Sequence, residues 1–314
     1  MAGAAKLIAD IGGTNARFAL AQDGRISHLT VLPTGKYPTL QAAAKDFLGG
    51  LPGDMKVTRG AVDIAGPVTG DRVQLTNSGW SFSIAEAKAQ LGFDDLQVVN
   101  DFAAAALGIP LLGSDEYIAV GGGTAVAQGP IGVIGPGTGL GVAGLIHADG
   151  RWVVLPGEGG HGTMPPATRE EGAILDILRD RFGHVSAERV LSGHGLQNLH
   201  QALAQRQGAP AAAITDHEIT AAALSGSDPL SGRVLDLFCE MLGTVAGNLA
   251  MTLGCTGGVY LIGGILPRFA ERFAASGFRA RFESKGRFAG YMRAIPTFLV
   301  THENPAMLGL AGME

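Results

Sequence analysis

Apolar residues lead into the pair Gly12-Gly13 and alternating residues lead out, in the stretch Leu7-Ile-Ala-Asp10-Ile11-Gly12-Gly13-Thr14-Asn15-Ala-Arg-Phe-Ala-Leu20. That pattern predicts strand, tight turn, strand. Asp23-Gly24 marks a second turn and residues 25–32 a third strand, so the chain opens with an antiparallel meander. Thr39 then caps a helix with Leu40, Ala43, Ala44, Phe47 and Leu48 on one face. Residues 61–65 read as a buried strand ended by Gly66-Pro67, and 73–75 as a strand running into Thr76-Asn77-Ser78-Gly79-Trp80. Ser83 and Glu86 fit a capping box for a short helix that stops at Gly92. A strand over 96–99 delivers Asn100-Asp101 to a helix over 102–107. The order β-β-β-α-β-β-α-β-α suits a mixed sheet with helices packed on it. Ligands in such sheets gather beyond the carboxyl ends of strands, and Asn100-Asp101 lies at one.

The pattern changes at Ile109-Pro110. Gly121 to Thr124 form a loop, and a strand over 131–134 leads to Gly135-Pro-Gly137-Thr138-Gly139-Leu-Gly141. Strands over 142–146 and 152–155 follow, joined by a turn at 147–150. Strand, glycine loop, strand, turn, strand repeats the opening theme and predicts two halves of similar architecture, each presenting a hairpin to a shared ligand. Helices dominate afterwards. One is capped by Thr168 with Glu171 and carries Ile174, Leu175, Ile177 and Leu178; another runs near 194–205. Residues 207–213 form a Gly/Pro/Ala linker, Thr215 with Glu218 a further capping box, and Asp228-Pro229 the start of a long helix to about Leu253. A strand to Ile262 ends in Gly263-Gly264, Pro267 starts a helix, 295–300 is a last strand, and Pro305 opens a helix that returns to the first domain.

Composition narrows the class. The 314 residues have room for two domains, and 46% hydrophobic with 16% charged residues describes a well-buried chain. A net charge of -5 argues against nucleic acid as the main partner. Cys239 and Cys255 give neither a disulfide framework nor a zinc site, and read as buried small hydrophobes in a reducing compartment. No leader pattern and no apolar run near ~20 residues is present, which predicts a cytoplasmic protein without a membrane segment. The 49 glycines are more than twice the usual share, and much of that share falls in clusters where backbone can approach a ligand.

Those clusters carry the candidate chemistry. The N–H groups of a Gly12-Gly13 turn can approach a phosphate, Thr14 and Asn15 add donors, and Asp10 stands where a carboxylate holds hydrated Mg²⁺. No Gly-Lys-Ser/Thr follows, so this is not a Walker A loop; a plain hairpin is the competing reading. Asn100-Asp101 ahead of an alanine-rich helix can be a cap, a functional pair, or both. Gly139-Leu-Gly141-Val-Ala-Gly144 matches the dinucleotide fingerprint but sits in a strand, where the fingerprint requires a helix to open. Glu158-Gly-Gly-His161 is too polar and glycine-rich for core: it is either a solvated, flexible loop or one that presents Glu158 and His161 to a ligand, and the strand before it and capped helix after it favour presentation; no partner at metal-ligand spacing accompanies the histidine. Glu188 reads equally as a solvated helix carboxylate. Gly263-Gly264, at a strand-to-helix junction, suits a base or ribose lying flat.

Together these segments resemble the bacterial glucokinase family of the actin/hexokinase/Hsp70-like superfamily. Asp10-Ile11-Gly12-Gly13-Thr14-Asn15 resembles its first phosphate motif, Gly135 to Gly141 the second, and Gly257 to Gly264 the adenosine motif. Asn100-Asp101-Phe102, Glu158-Gly-Gly-His161 and Glu188-Arg-Val-Leu-Ser-Gly193 match its sugar-binding segments, in order, over essentially the whole chain. The cysteine-rich zinc motif of related sugar kinases and repressors is absent. The resemblance implies an α/β, two-domain ribonuclease H-like (actin-like ATPase) fold, mixed sheets with flanking helices and a cleft that closes on sugar. The smaller domain would comprise 1–110 plus 300–314 and the larger 111–299. It implies ATP-dependent phosphorylation of the 6-hydroxyl of glucose, with Asp101 as general base. Asn100, Asp101, Glu158, His161 and Glu188 would hold the hexose. Asp10, Ile11, Gly12, Gly13, Thr14 and Asn15, with Gly137, Thr138 and Gly139, would bind ATP: Gly12 to Thr14 and Gly137 to Gly139 would hold its phosphates, Gly263 and Gly264 would flank the adenosine, and Asp10 would place Mg²⁺ through water. A homodimer is implied as well. Another hexose, polyphosphate as donor, or a non-catalytic sugar sensor on the same fold are the alternatives.

Overall fold

The computed structural model describes residues 5–53, 55–75, 79–209 and 213–313. The Thr76-Asn77-Ser78 stretch and positions 210–212 of the expected linker lie outside the described residues. The chain divides into two compact units, Met1–Leu112 with His302–Glu314, and Gly113–Thr301.

The first unit is built on strands β1 (Ala5–Ile11), β2 (Asn15–Gln22) and β3 (Arg25–Pro33), followed by helix α1 (Leu40–Gly49) and strand β4 (Val57–Ile64). A short hairpin of β5 (Arg72–Gln74) and β6 (Ser81–Ser83) precedes α2 (Ile84–Leu91), β7 (Asp95–Asn100) and α3 (Asp101–Gly108). The sheet order is β3-β2-β1-β4-β7, with the first three strands antiparallel and β1, β4 and β7 parallel. Strand periodicity sends alternate side chains to opposite faces. Leu7, Ala9, Ile11, Val62, Ile64 and Leu96 enter one core with the buried face of α1. Ile8 and Ala61 enter another with Ala104 of α3 and Met307 and Leu310 of the Pro305–Gly312 helix. Asp10 and Asp63 therefore share the α3 side of the sheet, and they are register partners on β1 and β4. Thr39 and Ser83 cap their helices, and Gly92 closes α2 in the left-handed conformation, all at the positions expected from sequence.

The second unit repeats the scheme. Strand β8 (Tyr117–Ala119) precedes β9 (Ile131–Pro136), β10 (Leu140–Ala148) and β11 (Arg151–Gly157), an antiparallel meander. Helices α4 (Arg169–Phe182), α5 (Gly193–Arg206), α6 (Asp216–Ser225) and α7 (Pro229–Leu253) follow. Then come β12 (Gly258–Leu261), the short helices α8 (Ala270–Ala274), α9 (Phe278–Glu283) and α10 (Ala289–Ala294), and β13 (Thr297–Val300). The sheet order is β11-β10-β9-β12-β13-β8, with β9, β12 and β13 parallel. A meander followed by two parallel strands is the order of the first sheet too, so the sequence echo reflects a repeated architecture. The glycines from Gly139 to Gly144 lie at the turn and in β10 with no helix opening from them, which removes the dinucleotide reading.

Helix α7 is the core of this unit. Val234, Leu235, Phe238, Leu242, Ala246 and Ala250 are fully buried along it. It is long and apolar enough to cross a membrane by length and composition, a feature that counting uninterrupted apolar runs overlooked; 67% of its most apolar window is buried inside the protein. Cys239 and Cys255 are free and buried, and burial pushes both thiols up to about 12. The helix expected from Pro267 is present as a 3-10 turn that runs into α8, whereas sequence patterning missed β6, β8, α9 and α10. Each is too short to show a period.

Candidate active site

Each unit carries one constellation. In the first, Gly12 N–H donates to Asn15 O (2.9 Å) and closes the β1–β2 turn, leaving Gly13 and Thr14 at its tip. Neither Gly12 nor Gly13 needs a positive φ, so the turn is not the usual primed hairpin. One strand position before it, Asp10 is half-buried. Its Oδ2 accepts from Arg17 Nη1 and from Asn304 Nδ2, both at 3.1 Å. Arg17 is the residue directly opposite Asp10 on β2, and Asn304 is the N-cap of the Pro305–Gly312 helix. Both partners fix the carboxylate, and neither was singled out from sequence, where only Pro305 marked the start of the helix that Asn304 caps.

Asn100 and Asp101 divide the two roles that the sequence left open. Asn100 is the N-cap of α3, its Oδ1 accepting from Phe102 N–H (2.9 Å) and Ala103 N–H (3.2 Å). Its Nδ2 donates to Gly66 O (3.1 Å), which fixes the side chain on both sides. Asp101 is not the cap. It is the first helical residue, with Oδ1 accepting from Phe102 N–H (2.8 Å), and it keeps partial exposure. Positioned in the first turn, its carboxylate gains from the helix dipole.

Behind both lies Asp63, an acid inside the buried strand that the sequence reading passed over. It is 0% exposed, and neither oxygen has a hydrogen bond of ordinary geometry. Burial, and then the neighbouring carboxylates of Asp10 and Asp101, hold its carboxyl well above the usual range. A folded-state pKa above the unfolded value means that the native protein binds the extra proton. The associated stability is complete below pH ~4, where the unfolded aspartate also titrates, and is lost as pH rises through the raised native value. The melting temperature of Asp63→Asn, in metal-free buffer, is therefore expected to gain on wild type as pH rises from 4 to 8. Parallel melting curves across that range would contradict the assignment.

In the second unit, the glycine loop between β9 and β10 is closed by Gly137 N–H to Gly139 O (2.8 Å), and Gly193 N–H donates to Gly137 O (2.9 Å). Thr138 is exposed at its tip. Glu188, in a 3-10 turn capped by Ser186, turns inward: its Oε2 accepts from Leu140 N–H (2.9 Å). A Cβ on Gly139 would lie 2.4 Å from that oxygen, so the glycine is what admits the glutamate. Glu188 is thus not a solvated helix carboxylate. His161 stands between two acids, Nδ1 3.9 Å from Glu188 Oε1 and Nε2 3.9 Å from Glu158 Oε2, with both Glu158 and His161 exposed. This group of two carboxylates and an imidazole can accept from and donate to a polyhydroxyl ligand. Gly263 and Gly264 follow β12 in exposed positions, and Ile262 N–H donates to Ile134 O (3.0 Å) of the strand that enters the glycine loop. Arg268 Nε donates to Gly264 O (3.0 Å) while its Nη1 pairs with Asp216 Oδ2 (2.7 Å), a brace that no sequence spacing indicated.

Among the described residues, no group of three or more His, Cys, Asp or Glu side chains could hold a metal ion. A single oriented carboxylate such as Asp10 does fit Mg²⁺, which keeps most of its waters and takes its remaining ligands from phosphates.

A family model described as Glucokinase matches residues 7–314. The glucokinase of Nitrobacter hamburgensis is 53% identical over 310 residues, covering 99% of this chain and 97% of that protein. The glucokinase of Paramagnetospirillum magneticum is 52% identical, covering 98% and 96%. Among solved structures, the glucokinase of an Antarctic psychrotroph is 37% identical, covers 98% of each chain and has a TM-score of 0.91.

Proposed function

Because this chain belongs to the glucokinase family, with its actin-like ATPase fold, we propose that it transfers the γ-phosphoryl group of ATP to the 6-hydroxyl of glucose. The observation that carries the reading is the separation of Asn100 and Asp101: one side chain caps the helix, and the other presents a carboxylate at its first residue. Phosphoryl transfer asks little covalent work of a protein, and depends on placing an alcohol in line and balancing charge.

Asp101 takes the proton from the attacking hydroxyl. Asn100, Glu158, His161 and Glu188 hold the remaining hydroxyls. The N–H groups of Gly13 and Thr14 and of Thr138 and Gly139 donate to phosphate oxygens, those of Gly12 and Gly137 closing their own turns, and Gly263-Gly264 lie against the adenosine. Asp10, its carboxylate oriented by Arg17 and Asn304, would hold magnesium through water. The cation, when bound, neutralises charge developing on the transferred group. The reading includes a cytoplasmic enzyme that works as a homodimer, and light scattering would measure the latter.

A coupled assay with several hexoses against ATP and polyphosphate tests the proposal. Glucose 6-phosphate formed from ATP is the expected product. Turnover of another hexose only, turnover with polyphosphate only, or sugar binding without turnover would each replace it. Within the sugar site, Glu158→Gln and Glu188→Gln are expected to raise the glucose KM by roughly 5- to 150-fold, the range for leaving a desolvated polar partner unmatched. In Glu188→Gln the new amide oxygen can still accept from Leu140 N–H, so the fold should persist. A wild-type glucose KM in either variant would place that carboxylate outside the sugar site.

A further inference from the structure

The β1–β2 turn has two carbonyls at its tip, and both point to one residue. Thr34 Oγ1 donates to Gly13 O at 2.7 Å, and Thr34 N–H donates to Thr14 O at 2.9 Å. Thr34 is 4% exposed, although its neighbours Pro33 and Gly35 are exposed. It opens a one-turn 3-10 helix, Thr34–Lys36, for which its hydroxyl performs no capping. The side chain is directed away from its own segment, to a turn 21 residues earlier.

A trans peptide is planar, with N–H antiparallel to C=O. Holding the Gly13 carbonyl toward Thr34 therefore turns the Thr14 N–H to the opposite side, and without that hold a Gly-Thr peptide can rotate. The anchor is itself braced. Tyr37 N–H donates to Thr34 O (3.1 Å), the indole Nε1 of the buried Trp80 donates to Tyr37 O (2.9 Å), and the Tyr37 hydroxyl pairs with Asp46 Oδ2 on α1 (2.5 Å). A site held by locked neighbours keeps its geometry better than one on a free loop.

We infer that Thr34 is a positioning residue for nucleotide phosphates: by binding both tip carbonyls, it aims the Thr14 N–H at the phosphoryl oxygens. This rests on the reading of the Gly12–Asn15 turn as a phosphate site. Thr34 acts through the Thr14 N–H, so its removal is expected to lower nucleotide affinity and leave sugar affinity alone.

The test uses Thr34→Val, which keeps the shape and removes the hydroxyl, beside Thr34→Ser, which keeps the hydroxyl. Magnesium ADP is titrated by calorimetry, and KM is measured for ATP and for glucose. Thr34→Val is expected to weaken ADP binding and raise the ATP KM by about 3- to 10-fold, the effect of one lost hydrogen bond. Its glucose KM should stay within about twofold of wild type, and Thr34→Ser should restore nucleotide affinity. Unchanged ADP affinity in Thr34→Val, a parallel loss of glucose and ADP affinity, or failure of Thr34→Ser to restore binding would each overturn the inference. The two levels separate in the wild type. A wild type that binds ADP but makes no glucose 6-phosphate refutes the glucokinase reading and leaves the Thr34 titration decisive. A wild type that does not bind ADP refutes the inference itself.

Discussion

Asp101→Asn is expected to keep the fold and glucose binding while losing at least ~100-fold in kcat, the lower end of a general base's usual contribution. The substitution is nearly isosteric, and an amide oxygen can still accept from Phe102 N–H as Asp101 Oδ1 does. The cap of α3 is untouched, because Asn100 supplies it. What is removed is the ability to take a proton. The two residues can be dissected in opposite directions: Asn100→Ala should cost about 1 kcal/mol of stability through the lost cap, whereas Asp101→Asn should leave the melting temperature near wild type. Taking Asp101 itself for the cap would have placed that stability loss on the wrong residue. Calorimetric glucose affinity, thermal melting and turnover on the same three proteins decide the matter. An Asp101→Asn enzyme turning over near the wild-type rate would remove Asp101 from the chemistry.

The second large effect is structural. Helix α3 and the Pro305–Gly312 helix approach so closely that a Cβ on Gly309 would lie 1.8 Å from Ala104 O, with Gly108 N 2.9 Å away. On the facing side, a Cβ on Gly108 would lie 2.0 Å from Pro305 O. All of these are backbone atoms, so no rotamer change can relieve the clash, and the helices must separate. Gly309→Ala is expected to destabilise the first unit by about 3 kcal/mol, the upper end for overpacking a well-packed contact, and to lower its melting temperature by on the order of 10 °C. Because α3 begins at Asp101, kcat should fall as well. A Gly309→Ala protein that melts with wild type would show that the helices part without loss.

Much of this architecture was readable in the chain because its signals are local. Thr39, Ser83, Thr168, Thr215 and Asp228 each cap the helix that their spacing indicated, and the Thr215–Glu218 pair forms the reciprocal box. The candidate residues themselves stood out where polarity interrupts an apolar or glycine-rich run, as at Glu158 and His161. What stayed hidden was contact at long sequence separation. Nothing near Asn304 signals a bond to Asp10, 294 residues earlier, and nothing near Thr34 signals the Gly13 carbonyl. Glu188 looked like an ordinary helix carboxylate because its partner, Leu140 N–H, is a backbone group with no sequence signature. Asp63 was the exception, an acid in a buried strand, where the anomaly was visible and its neighbours were not.

The first unit is discontinuous: its sheet and α3 come from the first 112 residues, but the helix that covers Ile8, Ala61 and Ala104 lies beyond Gly113–Thr301. On a ribosome adding roughly 5–20 residues per second, that interval lasts on the order of 10–40 s. For that time the nascent first unit carries an uncovered apolar face, with α3 lacking the helix that packs against it. The Asp10 carboxylate also waits for Asn304 during this interval. Catalytic competence should therefore arrive as a late step in biogenesis, set by docking of the Pro305–Gly312 helix, and chaperone dependence should concentrate on the first-made unit.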